Sequence, residues 1–403
     1  MKKTSHIEVI GIAQIVLVCF VPTAPAANFN LLYSFAGGPA DGTVPVAGLT
    51  EVGNVLYGMT AQGGADGLGT IFAYNLASGT ESLLHSFAGT PGDGQVPADS
   101  FVQSDANPAI LYATTSGGGS VGAGAIIALD TTTGAESVVY SFGTVGGLGI
   151  APDGTPAVSG NMIYGMAGNI FSYNLTTGVA TPLYSLTGNT GRNNSVILVG
   201  DTLYGLTVRG GNGPVGNRDG TIFSYNLDTE TFNILHSFTG APDGDSPAAS
   251  LTLCGTTLYG TTTLGGTDGG LGTIFSYSIA TGDYQTLFSF DGADGANPEG
   301  APLVDGTTLY GIAGDGGGEG CVYALNLLTD TETILHTFDG ADGEPGQDNS
   351  LTLVGSTLYG MTYLGGANND GVIFSIAIPE PATFSILAAT GACLLLRRRR
   401  QLR

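Results

Sequence analysis

Ser250-Leu-Thr-Leu-Cys-Gly-Thr-Thr-Leu-Tyr-Gly-Thr-Thr262, then a glycine-rich gap, then Gly272-Thr-Ile-Phe-Ser-Tyr277 and Thr286-Leu-Phe-Ser-Phe290, is one full copy of a pattern that fills the chain. Its central Leu-Tyr-Gly element recurs with the tyrosine at Tyr57, Tyr112, Tyr164, Tyr204, Tyr259, Tyr310 and Tyr359, at intervals of 40 to 55 residues. A period near 50 is that of propellers and arrays of small sheets, longer than helical solenoids or short-rung β-helices use.

The copy divides into four runs, 249–253, 257–262, 273–279 and 284–290, each rich in β-branched and aromatic residues and bounded by glycine, which is the signature of strands. Short turns such as Cys254-Gly-Thr and Ala280-Thr-Gly-Asp join the first run to the second and the third to the fourth, as tight hairpins require. Four antiparallel strands per copy make one propeller blade. The third-strand motif occurs seven times, from Gly69-Thr-Ile-Phe to Gly371-Val-Ile-Phe. The fourth-strand motif also occurs seven times, but its first copy, Leu31-Leu-Tyr-Ser-Phe35, precedes everything else. The last copy ends at its third strand, near Ile378. The reading is therefore all-β: a seven-bladed propeller over residues 27–378, closed by the N-terminal strand pairing with Gly371–Ile378, which removes the open edge of a linear array.

The composition suits an acidic surface kept soluble outside the cell. Glycine takes 68 of 403 positions, tryptophan is absent, and the formal net charge is −23. Of the 33 acidic residues only Glu8 and Glu380 lie outside 27–378, where the basic residues are Arg192, Arg209 and Arg218 alone. Such a body repels nucleic acid, and repels anionic polysaccharide unless cations bridge the two.

Both ends read as processing segments. Lys2 and Lys3, an apolar stretch from Val9 to Val21 and the small-residue site Ala24-Pro-Ala26 make residues 1–26 a signal peptide cleaved after Ala26. Residues 379–403 run Pro379-Glu380-Pro381, then an apolar segment short of the ~20 residues a permanent membrane helix needs, then Arg397, Arg398, Arg399 and Arg400. This tail resembles the PEP-CTERM sorting signal of bacteria that make extracellular polysaccharide. The resemblance implies transient membrane insertion, recognition by an exosortase, cleavage near the triplet and delivery to the cell surface or matrix. Between these ends lie Cys254 and Cys321, at different repeat positions and without metal-ligand spacing; both are expected to be buried and unpaired.

The repeats themselves resemble the GloVer tandem repeat of secreted bacterial proteins. Leu258-Tyr-Gly-Thr-Thr262 with Gly265-Gly266, Gly-Thr-Ile-Phe at Gly69, Gly220 and Gly272, and Leu-His-Ser-Phe at Leu84 and Leu235 carry that likeness. Copy two departs from it with Ala113 in place of the glycine, and copy three by omitting the Gly-Gly loop at Gly165-Met-Ala-Gly168. The resemblance implies a propeller-like repeat and export, with no defined activity.

Strand direction places the blade-to-blade loops and the loops between second and third strands on one face. Asp41, Asp66, Asp93, Asp243, Asp268, Asp294 and Asp342 should gather there. The Asp-Gly pairs at Asp291, Asp294, Asp339 and Asp342 offer oxygens on a turning backbone and are the candidates for Ca²⁺, although aspartate before glycine is equally good turn chemistry. His85, His236 and His336 share one repeat position with Tyr33, Tyr140, Tyr184 and Phe288, and read as packing residues. No nucleophile elbow, zinc motif or phosphate loop is present, so no catalytic or cofactor-binding residue is assigned. The expected role is a non-enzymatic surface or matrix module binding a glycan or protein through its acidic face; the alternative is a secreted carbohydrate-active hydrolase or lyase using carboxylates there.

Overall fold

The computed structural model describes residues 27–378 except 98, 144–147, 187–192, 212–218, 248–249, 268, 315–319 and 347–348. The signal-peptide residues, the sorting segment, Arg192, Arg218 and Asp268 thus lie outside the described residues. Seven antiparallel sheets follow one another along the chain as the blades of a propeller. In blade one the strands are Gly42–Val52, Val55–Gly63, Thr70–Asn75 and Thr80–Ser86, counted outward from the axis. In blade five the innermost strand is interrupted, as Asp245–Pro247 and Thr252–Cys254, and is followed by Thr257–Leu264, Thr273–Ser278 and Tyr284–Ser289. Blade seven is built from Thr352–Val354, Thr357–Thr362 and Val372–Ala377, and its fourth strand is the N-terminal Asn28–Ser34. Leu31 faces Phe374 and Asn28 faces Ala377 in that pairing.

The repeat motif is explained by one recurring contact. In the sheet register the glycine of Leu-Tyr-Gly lies opposite the aromatic of Gly-Thr-Ile-Phe: Gly58 faces Phe72, Gly260 faces Phe275 and Gly360 faces Phe374. A Cβ on Gly260 would stand 2.4 Å from Phe275 Cζ, and one on Gly58 the same distance from Phe72 Cζ. Blade two supports this assignment, because its Ala113 faces Ile127 instead of an aromatic ring. The third-strand ring then meets the phenylalanine that ends the preceding blade. Phe72 is edge-on to Phe35 at 5.1 Å, Phe275 to Phe238 at 5.2 Å and Phe374 to Phe338 at 5.3 Å, a geometry aromatic pairs prefer. These rings are buried and form the packing between blades.

Nearer the axis the inner strands are linked by hydroxyls. Gly48 N–H donates to Ser100 Oγ at 2.8 Å, Thr155 N–H to Ser195 Oγ at 2.9 Å and Ala301 N–H to Ser350 Oγ at 2.9 Å, each reaching the same repeat position in the next blade. Thr50 Oγ1 donates to Phe101 O in blade two, and Thr352 Oγ1 to Leu49 O across the junction of blades seven and one. The first glycine of Gly-Thr-Ile-Phe is needed for two reasons. Gly272 has φ +104° and a Cβ there would meet Pro298 Cδ of the next blade at 2.7 Å.

Removing Asn28–Ser34 takes away the outer strand of blade seven together with the stack of Phe29 on Phe374 at 5.6 Å. A large drop in melting temperature, or loss of soluble protein, is expected; an unchanged melting curve would refute closure as a source of stability. The Gly–Phe contact makes a second prediction. Gly260→Ala should cost about 1–3 kcal/mol by overpacking, and Phe275→Ile in the same chain should restore part of it, reproducing the alanine–isoleucine pair of blade two. Denaturant melts of the two single variants and the double variant give the coupling directly.

Candidate functional site

Both kinds of long loop share one face, as the strand directions require. The loop after Val55–Gly63 bonds to the blade-to-blade segments on either side of it: Gly64 N–H donates to Asp41 O at 2.9 Å and Val96 N–H to Leu68 O at 2.9 Å. On the opposite side the hairpins meet each other, Leu76 N–H donating to Asn54 O at 3.0 Å.

The recurrent aspartates of the loop face are not free. Asp41 accepts from Ala36 N–H and Gly42 N–H, both at 2.7 Å, and from Tyr33 Oη at 2.9 Å. Asp93 accepts from Ala88 N–H at 2.7 Å and Gly94 N–H at 2.6 Å. Asp243 accepts from Thr239 N–H at 3.1 Å. The four calcium candidates fall into the same chemistry. Asp294 accepts from Asp291 N–H and Asp342 from Asp339 N–H, both at 2.9 Å, while Asp291 and Asp339 accept from Ala293 and Asp342 N–H. Each pair closes its own turn, and the two pairs belong to different blade junctions. Exposed carboxylates remain on this face at Asp66, Asp291, Asp339 and Glu344.

The histidines do more than pack. A one-residue bulge in each outermost strand, between the partners of Ile71 and Phe72 in blade one, re-aims the side chain that follows it. His85, His236 and His336 thereby meet the loop aspartates: Nε2 lies 3.0 Å from Asp93 Oδ2, 3.1 Å from Asp243 Oδ2 and 2.8 Å from Asp342 Oδ2. Each imidazole is also edge-on to the phenylalanine two residues later at 5.0–5.1 Å. The third wall of each groove comes from the outermost strand of the next blade. Against His236 it is Tyr284 and against His336 it is Phe29, both stacked at 3.7 Å. Against His85 it is Glu136, with Oε2 3.7 Å from Nε2.

Glutamate recurs at that third position in two other grooves, as Glu81 behind Tyr33 and Asp41, and Glu332 near Asp294. All three glutamates have a buried oxygen without a hydrogen-bond partner. Burial first, then the negative charge of Asp41, Asp93 or Asp294, pushes each carboxyl up to about 7 from an ordinary 4.5.

At the axis, Asp99 breaks the repeat symmetry. Its Oδ2 accepts from Ser195 Oγ at 2.7 Å and from Thr155 N–H at 2.9 Å, so one carboxylate joins blades two, three and four. Blade one has Ala47 at the equivalent position. The signal in the sequence is Asp99 itself, an acid in an otherwise small or amide position. Cys254 is a second correction. It is free, as expected, but exposed at a hairpin, where its side chain has no core to enter; Cys321 is free and buried. The groove histidines and Asp99 are thus the polar contacts that the repeat alignment did not expose.

Fold and loop architecture define a repeat-built β-propeller with preformed loops on one face. The chain belongs to the Gloeobacter/Verrucomicrobia repeat family, whose model matches residues 18–169 and 166–374. No curated protein matches it. Among solved structures it is similar to an oligogalacturonate lyase in complex with manganese, at 14% identity over 89% of this chain and 98% of that one, with a TM-score of 0.58. It is also similar to an oligogalacturonate lyase from Vibrio parahaemolyticus, at 12% identity, the same coverages and a TM-score of 0.54. At these identities the likeness is one of fold.

The raised glutamates set a pH dependence. Their folded values lie above the unfolded one, so their contribution to stability is fully present below about 4.5 and is lost as pH rises through about 7. Melting temperature is expected to fall between pH 5 and pH 8. Glu81→Gln and Glu332→Gln should each raise it at pH 8 and change it little at pH 5; parallel wild-type and variant slopes would contradict the assignment.

Proposed function

We propose that this chain is a non-enzymatic, exported surface or matrix protein that presents its loop face to a glycan or protein ligand. The observation that carries the reading is the use of the recurrent loop aspartates as caps on their own turns. Loops held this way are ordered before a ligand arrives, which lowers the entropic cost of recognition. They also leave those carboxylates committed to backbone amides instead of a reacting substrate. The two terminal segments, 1–26 and 379–403, supply the route: secretion, then exosortase processing at Pro379-Glu380-Pro381 and delivery to the surface. With so few cations on the body, a neutral ligand or one bridged by divalent cations is favoured over a free polyanion.

Two measurements test this. Intact-mass analysis of protein from the native host should give a chain beginning near Ala27 and lacking Arg397 to Arg400; retained arginines would mean a simple tail anchor. A glycan-array screen should give retention that is weakened by substituting Asp66, Asp291 or Asp339 with asparagine, with no product released. Release of reducing ends or unsaturated sugars from a polysaccharide would establish the hydrolase or lyase reading instead.

A further inference from the structure

We infer that His85, Asp93 and Glu136 form a binding site for a transition-metal dication of the Zn²⁺ class, clamped between the outer strands of blades one and two. His85 comes from Thr80–Ser86, Asp93 from the loop that follows, and Glu136 from Ala135–Ser141. One ligand atom from each lies within 4.8 Å of the other two. His85 Nε2 is 3.0 Å from Asp93 Oδ2 and 3.7 Å from Glu136 Oε2. Ligand atoms about 2.0–2.2 Å from a tetrahedral zinc stand roughly 3.4 Å from one another, so both distances from the imidazole already match to within a few tenths of an ångström.

Glu136 supplies the independent observation. Its side chain is 6% exposed and its Oε1 is buried without any hydrogen-bond partner. A carboxylate removed from water in this way is costly unless a cation meets it. Lysine is absent from this body, and the nitrogen that stands against Glu136 is the imidazole Nε2 of His85, at 3.7 Å. A dication satisfies Glu136, Asp93 and His85 together.

The repeat supplies its own controls. His236 and His336 have the same aspartate partner, but an aromatic ring, Tyr284 or Phe29, fills the place of Glu136 and covers the imidazole. Glu81 and Glu332 have an aspartate neighbour, but Tyr33 and Phe288 replace the histidine. Among the described residues, histidine, aspartate and glutamate coincide at this groove alone. Asp93 is also oriented by Ala88 and Gly94 N–H, the kind of outer support that metal-binding carboxylates receive.

The donor set selects the ion. One imidazole nitrogen and two carboxylate oxygens suit Zn²⁺ and its transition-metal neighbours, whereas Ca²⁺ asks for six to eight oxygens. His85 and Asp93 are 27% and 17% exposed, which gives the ion a path in and leaves room for water as the remaining ligand. Its effect would be to tie two adjacent outer strands to each other.

The test is calorimetric titration of the chelator-stripped full-length chain with Zn²⁺, alongside Co²⁺ as a visible-absorption probe. One ion per chain is expected, together with the d–d spectrum of Co²⁺ in a low-coordinate oxygen and nitrogen site. Glu136→Gln should weaken binding by at least about 10–100-fold, the scale on which even supporting residues act. His85→Tyr, which installs the residue three other blades use there, should abolish it; His236→Tyr should leave it unchanged. Absence of binding, affinity that survives both Glu136→Gln and His85→Tyr, or a thiolate charge-transfer band locating Co²⁺ on exposed Cys254 would each overturn the assignment.

Discussion

The edge-on contact between the third-strand aromatic and the phenylalanine that closes the preceding blade is the interaction on which the rest of this propeller depends. It joins neighbouring sheets at Phe35–Phe72, Phe142–Phe171, Phe238–Phe275, Phe290–Tyr323 and Phe338–Phe374. The ring can lie flat over its own sheet because the facing residue is glycine. Where either partner changes, the other adjusts: Phe87 meets Ile127 in the core of blade two, whose facing residue is Ala113, and Phe223 packs with Leu186 in blade four. The contact also requires that the phenylalanine come from the previous blade. In a ring, blade one must therefore take its phenylalanine from the strand that completes blade seven, which is what Phe35 does. Closure follows from the packing unit; it is not added to it.

This dependence explains which parts of the molecule were legible in the sequence. A repeated contact leaves a repeated motif, so Leu-Tyr-Gly, Gly-Thr-Ile-Phe and Leu-His-Ser-Phe gave blade number, strand order and the displaced first strand without coordinates. The two loop classes followed from strand direction alone. The polar chemistry was harder, because it runs diagonally between copies. Aligning the histidines with one another correctly placed them at one repeat position, yet the residue that defines each environment is in the next copy: Glu136 for His85, Tyr284 for His236, Phe29 for His336. The bulge that turns these side chains into the groove leaves no residue signature either. Asp99 was missed for a related reason, since its partners Thr155 and Ser195 are 56 and 96 residues away.

A chain with 33 acidic residues and almost no cations in its body must still place its carboxylates somewhere. Backbone amides take the place of lysine and arginine here. Asp41, Asp93, Asp243, Asp294 and Asp342 each accept N–H groups at the start of a blade-to-blade loop, and charge-assisted bonds of this kind are among the stronger ones a loop can make. The acidic character of the loop face is thus partly structural. Part of the charge that the sequence carries therefore holds loops in place, and exposed carboxylates such as Asp66 and Glu344 remain to set the potential a ligand meets.

The buried glutamates are the exception to that economy of amides. Glu81, Glu136 and Glu332 sit one strand further on, where the backbone donors are already used by the sheet and no loop amide reaches. Each then has two ways of being satisfied: a proton, which the neighbouring aspartate favours by raising its carboxyl, or a cation. Behind Tyr33 and near Phe288 an aromatic side chain stands where the histidine would be, so protonation is the available route. Behind His85 an imidazole completes the set and the alternative opens. One substitution within an otherwise repeated groove is enough to change a proton site into a metal site, because the aspartate, its amide supports and the bulge that presents them are supplied by the repeat.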